Sequence, residues 1–143
     1  MTINAELLKR WTEQLCRLAT ASPAEAAAAL GIAGSIVDKG RDYATVEPPP
    51  AGTTKLMIVK GDAGVDHLDV MLSEPLVRGD LDARFGEGKL LPRVSAGRAY
   101  KLAYHVVVAG APYTCEVVAS FPEEPTAPTS VATEVILRRD RAS

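Results

Sequence analysis

An α+β fold is what this chain predicts: two N-terminal helices, then a curved, mainly antiparallel sheet of about six strands with one intervening helix. Three observations carry that expectation. Apolar residues in the N-terminal part recur at helical spacing, the period changes to that of strands from Asp42 onward, and Gly- and Pro-bearing turns divide the strand region into segments. A length of 143 residues suits one α+β domain, 1–143, with a helical segment 1–33 packed on a sheet region 42–139.

The first helix starts at a cap, Asn4, and repeats Leu7, Trp11, Leu15 and Leu18 at spacings of four, four and three, which lines them up on one stripe. Glu6, Lys9, Arg10, Glu13 and Arg17 fall largely elsewhere, and the helix is expected to run to about Ala19. The stretch "SPAEAAAALGI" then supplies a second start. Ser22, Pro23 and Glu25 fit the N-cap, first and third positions of a capping box, Ala24 to Leu30 are strong helix formers, and Gly31 is a stop.

Tyr43 to Val46 is a first strand, ended by the three prolines of "EPPPAG", which neither donate ladder bonds nor continue a helix. "KLMIVK" and "VDHLDVML" make a hairpin. A three-residue loop of Asp62, Ala63 and Gly64, with Gly61 opposite Val65, puts Leu56, Ile58, Leu68, Val70 and Leu72 on one face. A four-residue loop would set Leu56 and Ile58 beside His67 and Asp69, so the apolar pattern selects the odd loop. The following "SEPLVRGDLDARFGEG" reads as the intervening helix, with Ser73 near its start, Pro75 in the first turn, Val77, Leu81 and Phe85 inward and Gly86 as the stop. Gly79 weakens it by roughly 1 kcal/mol relative to alanine.

Two long strands follow, Tyr100 to Val108 and Tyr113 to Phe121, in a register that pairs Val108 with Tyr113. One face then carries Tyr100, Leu102, Tyr104, Val106 and Val108 against Phe121, Ala119, Val117, Cys115 and Tyr113; the other pairs His105 with Glu116 and Lys101 with Ser120. The last strand, Val131 to Arg139, turns Val131, Val135 and Leu137 inward and Glu134 and Arg138 outward. With the helices on one face of such a sheet, the other is left partly open.

Composition narrows the chemistry. A hydrophobic fraction of 47% with 24% charged residues is that of a globular domain, and a net charge of -2 gives no chain-wide attraction to nucleic acid or an acidic membrane. The N-terminus lacks the apolar region of a signal peptide, no apolar run has the length of a membrane span, and two distant cysteines, Cys16 and Cys115, read by default as reduced thiols of a cytoplasmic protein, with a bridge between them as the unsupported alternative. Richness in alanine and arginine is that of a GC-rich bacterial genome.

The segment around Gly31 resembles the start of a helix-turn-helix, yet the would-be reading helix, "GSIVDKGRD", holds two glycines and two aspartates. Over residues 1–45 five Lys and Arg are balanced by five Asp and Glu, so the electrostatic footprint of a DNA binder is missing. His67, Asp69, His105 and Glu116 would make a metal or acid/base site only if the two hairpins converged, and no ligand-spacing signature is present. "GDAGVDHLD" lacks the ligand pattern of a calcium loop, Cys115 lies on an apolar strand face, and neither a nucleophile elbow nor a glycine-rich phosphate loop occurs. Arg78, Arg84, Lys89, Arg93 and Arg98 form a basic run, but Asp80, Asp82 and Glu87 are interleaved with it.

The resulting expectation is a non-enzymatic cytoplasmic protein-binding module, of inhibitor, immunity or adaptor type. It uses an open sheet face and loops, with His67, Asp69, Lys101, His105 and Glu116 on the binding surface. It has a protein partner, with no catalytic residue, metal, cofactor, nucleic acid or membrane. The alternative is a small-molecule binder or enzyme with a pocket between helices and sheet, where Tyr43, Tyr100, Tyr104 and Tyr113 supply hydroxyls. A helix-turn-helix sensor of DNA is the third reading.

Overall fold

A computed structural model describes residues 2–19, 21–62, 64–93 and 98–141. Its first helix, α1 (Ala5–Arg17), begins where the Asn4 side chain accepts a hydrogen bond from the Leu7 amide at 2.8 Å, and it ends at Leu18, which is extended. It is therefore slightly shorter than the stripe suggested. The next helix, α2 (Pro23–Leu30), has the full capping box between Ser22 and Glu25, and stops at Gly31, whose φ of 72° is readily adopted only by a residue without a Cβ.

Among the described residues eight strands follow rather than about six: β1 (Ser35–Asp38), β2 (Tyr43–Glu47), β3 (Thr53–Gly61), β4 (Gly64–Val77), β5 (Lys89–Leu90), β6 (Tyr100–Val106), β7 (Tyr113–Phe121) and β8 (Val131–Arg141). They form one antiparallel sheet in the order β1-β2-β3-β4-β8-β7-β6-β5. The third helix, α3 (Arg78–Phe85), enters after the fourth strand, not the third. The additional strands are short edges. β1 occupies the segment that a helix-turn-helix would need as its reading helix, so that arrangement is not formed.

The α3 boundary corrects the sequence expectation most. Ser73 to Val77 continue β4, because the sheet takes their backbone groups: the Ser73 amide donates to Gly52 O at 3.0 Å, and Leu76 and Val77 lie opposite Ala132 and Val131. Pro75, which has no amide to give, sits in the irregular stretch between Met71 and Leu76. Helix begins only at Arg78, whose amide is taken by Ser130 O, and it ends at Gly86. The same irregularity changes the phase of β8: Ala132, not Val131, turns inward, leaving Val131 43% exposed.

In the β3-β4 hairpin Gly61 lies opposite Gly64 rather than Val65, and a bulge at Asp66 adds the odd residue, so Leu56 still faces Val70 and Ile58 faces Leu68. Ala63 lies outside the described residues. The register that keeps both apolar sets on the core side survives even though the turn differs. Leu72 is half-buried, next to a second irregularity near Thr54. β6 and β7 pair in the expected register, Tyr100 with Phe121 through Val106 with Cys115, but β6 stops there and Val107 is exposed.

Leu8 and Leu15 of α1, Leu81 of α3 and Leu56, Ile58, Leu68, Val117 and Leu137 of the sheet are fully buried in one apolar cluster, which also takes in Ala26, Ala27 and Leu30 of α2. All three helices thus pack against the same face of the sheet, α1 over β7 and β8, α2 over β1, β3 and β4, and α3 over β4 and β6. Two features fasten α1 there. Cys16 and Cys115 are joined in a disulfide, with Cα atoms 5.9 Å apart, so the expectation of two separate reduced thiols is overturned. The fold brings together two residues 99 positions apart that sequence spacing could not pair. Beside them the buried Arg139 of β8 donates from Nε to Val65 O at 2.9 Å and from Nη1 to Leu18 O at 2.7 Å, with longer bonds to Leu15 O and Ala19 O. Its guanidinium carbon lies 4.1 Å from the centre of the Tyr113 ring. A cation over the last carbonyls of a helix satisfies acceptors that have no partner within the helix and complements the helix dipole.

Candidate functional site

With the helices on one side, the residues that alternate away from the core form the other side of the sheet. Strand register arranges them in rows. One row runs Tyr43, Val59, His67, Arg138, Glu116 and His105 across β2, β3, β4, β8, β7 and β6. The next runs Val37, Thr45, Met57, Asp69, Ile136, Val118, Ala103 and Lys89. A third holds Lys55, Met71, Glu134, Ser120 and Lys101. The middle of this face is mixed: Met57, Met71, Val118 and Ile136 are all half-buried although no helix lies over them, and Asp69 stands between Met57 and Ile136 with Glu134 beside Met71.

His67, Asp69, Lys101, His105 and Glu116 all fall on this one face. They do not converge into a cluster. β8 lies between the two hairpins, so Arg138 separates His67 from Glu116, and His67 and His105 are three strand spacings apart, about 14 Å. His105 does face Glu116 directly. His67 Nδ1 instead meets Asp66 Oδ2 at 2.7 Å. Among the described residues no group of three His, Cys, Asp or Glu side chains could hold a metal.

The tyrosines are dispersed. Tyr43 is on the open face, near Lys55, whereas Tyr100, Tyr104 and Tyr113 are on the core-side face. Tyr104 is 1% exposed and donates to Asp82 Oδ1 at 2.7 Å, and Asp82 also receives Arg78 Nε at 3.3 Å. Burial and the bond to Asp82 push the Tyr104 phenol above its ordinary value. This is a strut between α3 and the sheet, since the hydroxyl is already spent. Tyr100 lies under Arg93 at 4.0 Å, and Tyr113 under Arg139. Tyr113 and Tyr43 border different surface depressions, of about 290 and 410 Å³, so the four hydroxyls share no pocket.

Glu134 and Ser120 are the residues that sequence reasoning left out of the site. Glu134 lies diagonally across the β4-β8 pair from Asp69, so the two carboxyls are neighbours. Burial raises the Glu134 carboxyl above the usual carboxylate range, the charge and hydrogen bond of Asp69 raise it further, and Lys101 offsets only part of this. Ser120, 4% exposed, lies directly opposite Glu134. Both Ser120 Oγ and Asp69 Oδ1 are buried without a hydrogen-bond partner among the described residues. Alternation along β8 shows Glu134 to be outward; only the strand order shows that Asp69 is its neighbour.

Among the described residues no helix is long and apolar enough to cross a membrane. Comparison of the chain with protein-family models, with curated proteins and with solved structures finds no match.

Proposed function

We propose that this chain is a non-enzymatic protein-binding module whose docking surface is the open face of the sheet, occupied by a protein partner. One observation carries the reading: on a sheet whose other face is covered by helices, this face has half-buried Met57, Met71, Val118 and Ile136 near its middle, with Asp69 and Glu134 among them and charges of both signs around. Taken whole, a non-obligate protein-protein interface is a similar mixture of apolar and polar surface. Methionines are well suited to it because an unbranched thioether side chain can repack against a partner. The mixed charges give no preference for nucleic acid, and the dispersal of Tyr43, Tyr100, Tyr104 and Tyr113 removes support from a shared pocket.

One of the two supports for the expected cytoplasmic location, beside the lack of a signal-peptide pattern, was a pair of reduced thiols. The joined Cys16 and Cys115 withdraw that support, since lasting disulfides belong mainly to oxidising compartments. Titration of free thiols in protein taken directly from cells decides the compartment.

The docking test compares surface variants, not a single capture. Val118→Arg and Ile136→Asp on the open face should abolish recovery of a stoichiometric protein partner from nuclease-treated lysate, and His105→Ala and Glu116→Ala should weaken it. Glu13→Lys, on α1 and away from this face, should leave recovery unchanged. A partner retained by both open-face variants and lost with Glu13→Lys would place docking on the helices and overturn the reading.

A further inference from the structure

We propose that Asp69, Glu134 and Ser120 form the seat for a lysine side chain of the partner protein. This rests on the reading of the open face as the docking surface, and it names what the partner must bring to its centre. The two carboxyl groups are diagonal neighbours on the paired strands β4 and β8. Among the described residues no cation is bonded to them: Arg138 is paired with Asp140 at 3.3 Å, Lys39 with Glu47 at 3.7 Å, and Lys101 is near Glu134 without forming an ion pair. With no bonded cation between them, the two neighbouring carboxylates repel each other.

Ser120 is the independent observation. Its hydroxyl is buried and unpartnered on the strand next to Glu134, and Asp69 Oδ1 is buried and unpartnered on the other side. Two such atoms in one small patch amount to an unmet demand for hydrogen-bond donors. A lysine ammonium offers three donors and no acceptor, which matches Asp69, Glu134 and Ser120 one to one. Its methylene stem would lie along Met71 and Ile136, as lysine stems do on apolar surfaces. An anion would meet two carboxylates. A bare divalent cation would find only two carboxylates and a hydroxyl, fewer oxygens than it requires. On docking, the ammonium sits beside the two carboxylates and relieves their repulsion.

The test uses the full chain, labelled with 15N, and two short amidated peptides, acetyl-Val-Lys-Val and acetyl-Val-norleucine-Val, titrated to millimolar concentration at neutral pH. The lysine peptide is expected to shift the amide resonances of residues 67–71, 118–120 and 134–136, with affinity roughly five- to tenfold above that of the norleucine peptide. Asp69→Asn with Glu134→Gln should erase that difference, and because these changes remove repulsion, the variant should fold. Equal binding of both peptides on this face overturns the lysine seat while leaving the docking surface standing. A lysine preference that survives in the double variant overturns the assignment to these carboxyls. Shifts confined to other surfaces, or none from either peptide, overturn the seat and withdraw support from the docking surface as well.

Discussion

Replacing Arg139 by methionine, which keeps most of the stem and removes the guanidinium, should lower stability by about 3 kcal/mol. Of the four carbonyl bonds, those to Leu18 O at 2.7 Å and Val65 O at 2.9 Å are well formed. Hydrogen bonds from a charged donor contribute about 1.5–3 kcal/mol each, so the two together supply roughly 3–6 kcal/mol. Against this stands the cost of burying the cation, which also lowers the Arg139 pKa and which methionine relieves. The attraction between guanidinium and Tyr113 is lost too. Urea unfolding followed through Trp11, the single tryptophan and a core residue of α1, reads the loss directly. With a slope of about 2 kcal/mol per molar urea, the midpoint should fall by roughly 1.5 M at unchanged slope. Arg139→Lys should recover only part of it, because an ammonium cannot span carbonyls from α1 and β4 as the planar fork does. A midpoint lowered by less than about 0.3 M in the methionine variant would refute the view that Arg139 clamps the end of α1.

Reduction of the Cys16–Cys115 bond releases a loop closed over a separation of 99 residues, and should cost about 2–4 kcal/mol, read as a drop in urea midpoint on adding a dithiol reductant. Glu134→Gln should raise stability at neutral pH. The folded pKa lies above its ordinary value of 4.5, so the penalty for ionising Glu134 is present in full above the folded pKa and fades as pH falls toward 4.5; thermal melts at pH 7 and pH 4 should show the gain shrinking. Tyr104→Phe leaves Asp82 short of one donor and should cost about 1–2 kcal/mol in the same urea assay. Trp11→Ala should cost about 3–5 kcal/mol by calorimetry, since the ring is 5% exposed and belongs to the core.

Local features were legible wherever one residue type performs one task. Asn4, Ser22, Glu25 and Gly31 bounded the first two helices because caps act over three or four residues. Hairpin registers were legible as well, since a slip by one position would exchange Leu56 and Ile58 for Met57 and Val59 on the core face. The turn itself was not, because a two-residue connection plus a bulge at Asp66 yields the same pairing as a longer loop. The stretch from Ser73 to Val77 misled because Pro75 suits either the first turn of a helix or a break in a strand; the deciding factor, pairing with β8, is tertiary. For the site, alternation shows that Asp69, His105, Glu116 and Glu134 point outward, but their neighbours depend on strand order, which the residues do not encode locally. Arg139 was open to detection: strict alternation from Val135 and Leu137 turns it inward, and an inward arginine demands a partner.

The position of β8 has a consequence for how the chain comes to be folded. Its last strand in sequence is a central strand in space, flanked by β4 and β7. During synthesis β1 to β4 and β5 to β7 can form as two partial sheets, but each keeps a long unpaired edge until residues 131–141 emerge to join them. Those edges, rich in Leu68, Val70, Cys115 and Val117, are templates for wrong partners while they wait. Contacts that close over such long separations also slow folding. The final strand therefore acts as a keystone: a chain cut before Val131 retains most of its residues but loses the sheet's continuity, the Asp69–Glu134 pair and the Arg139 clamp together.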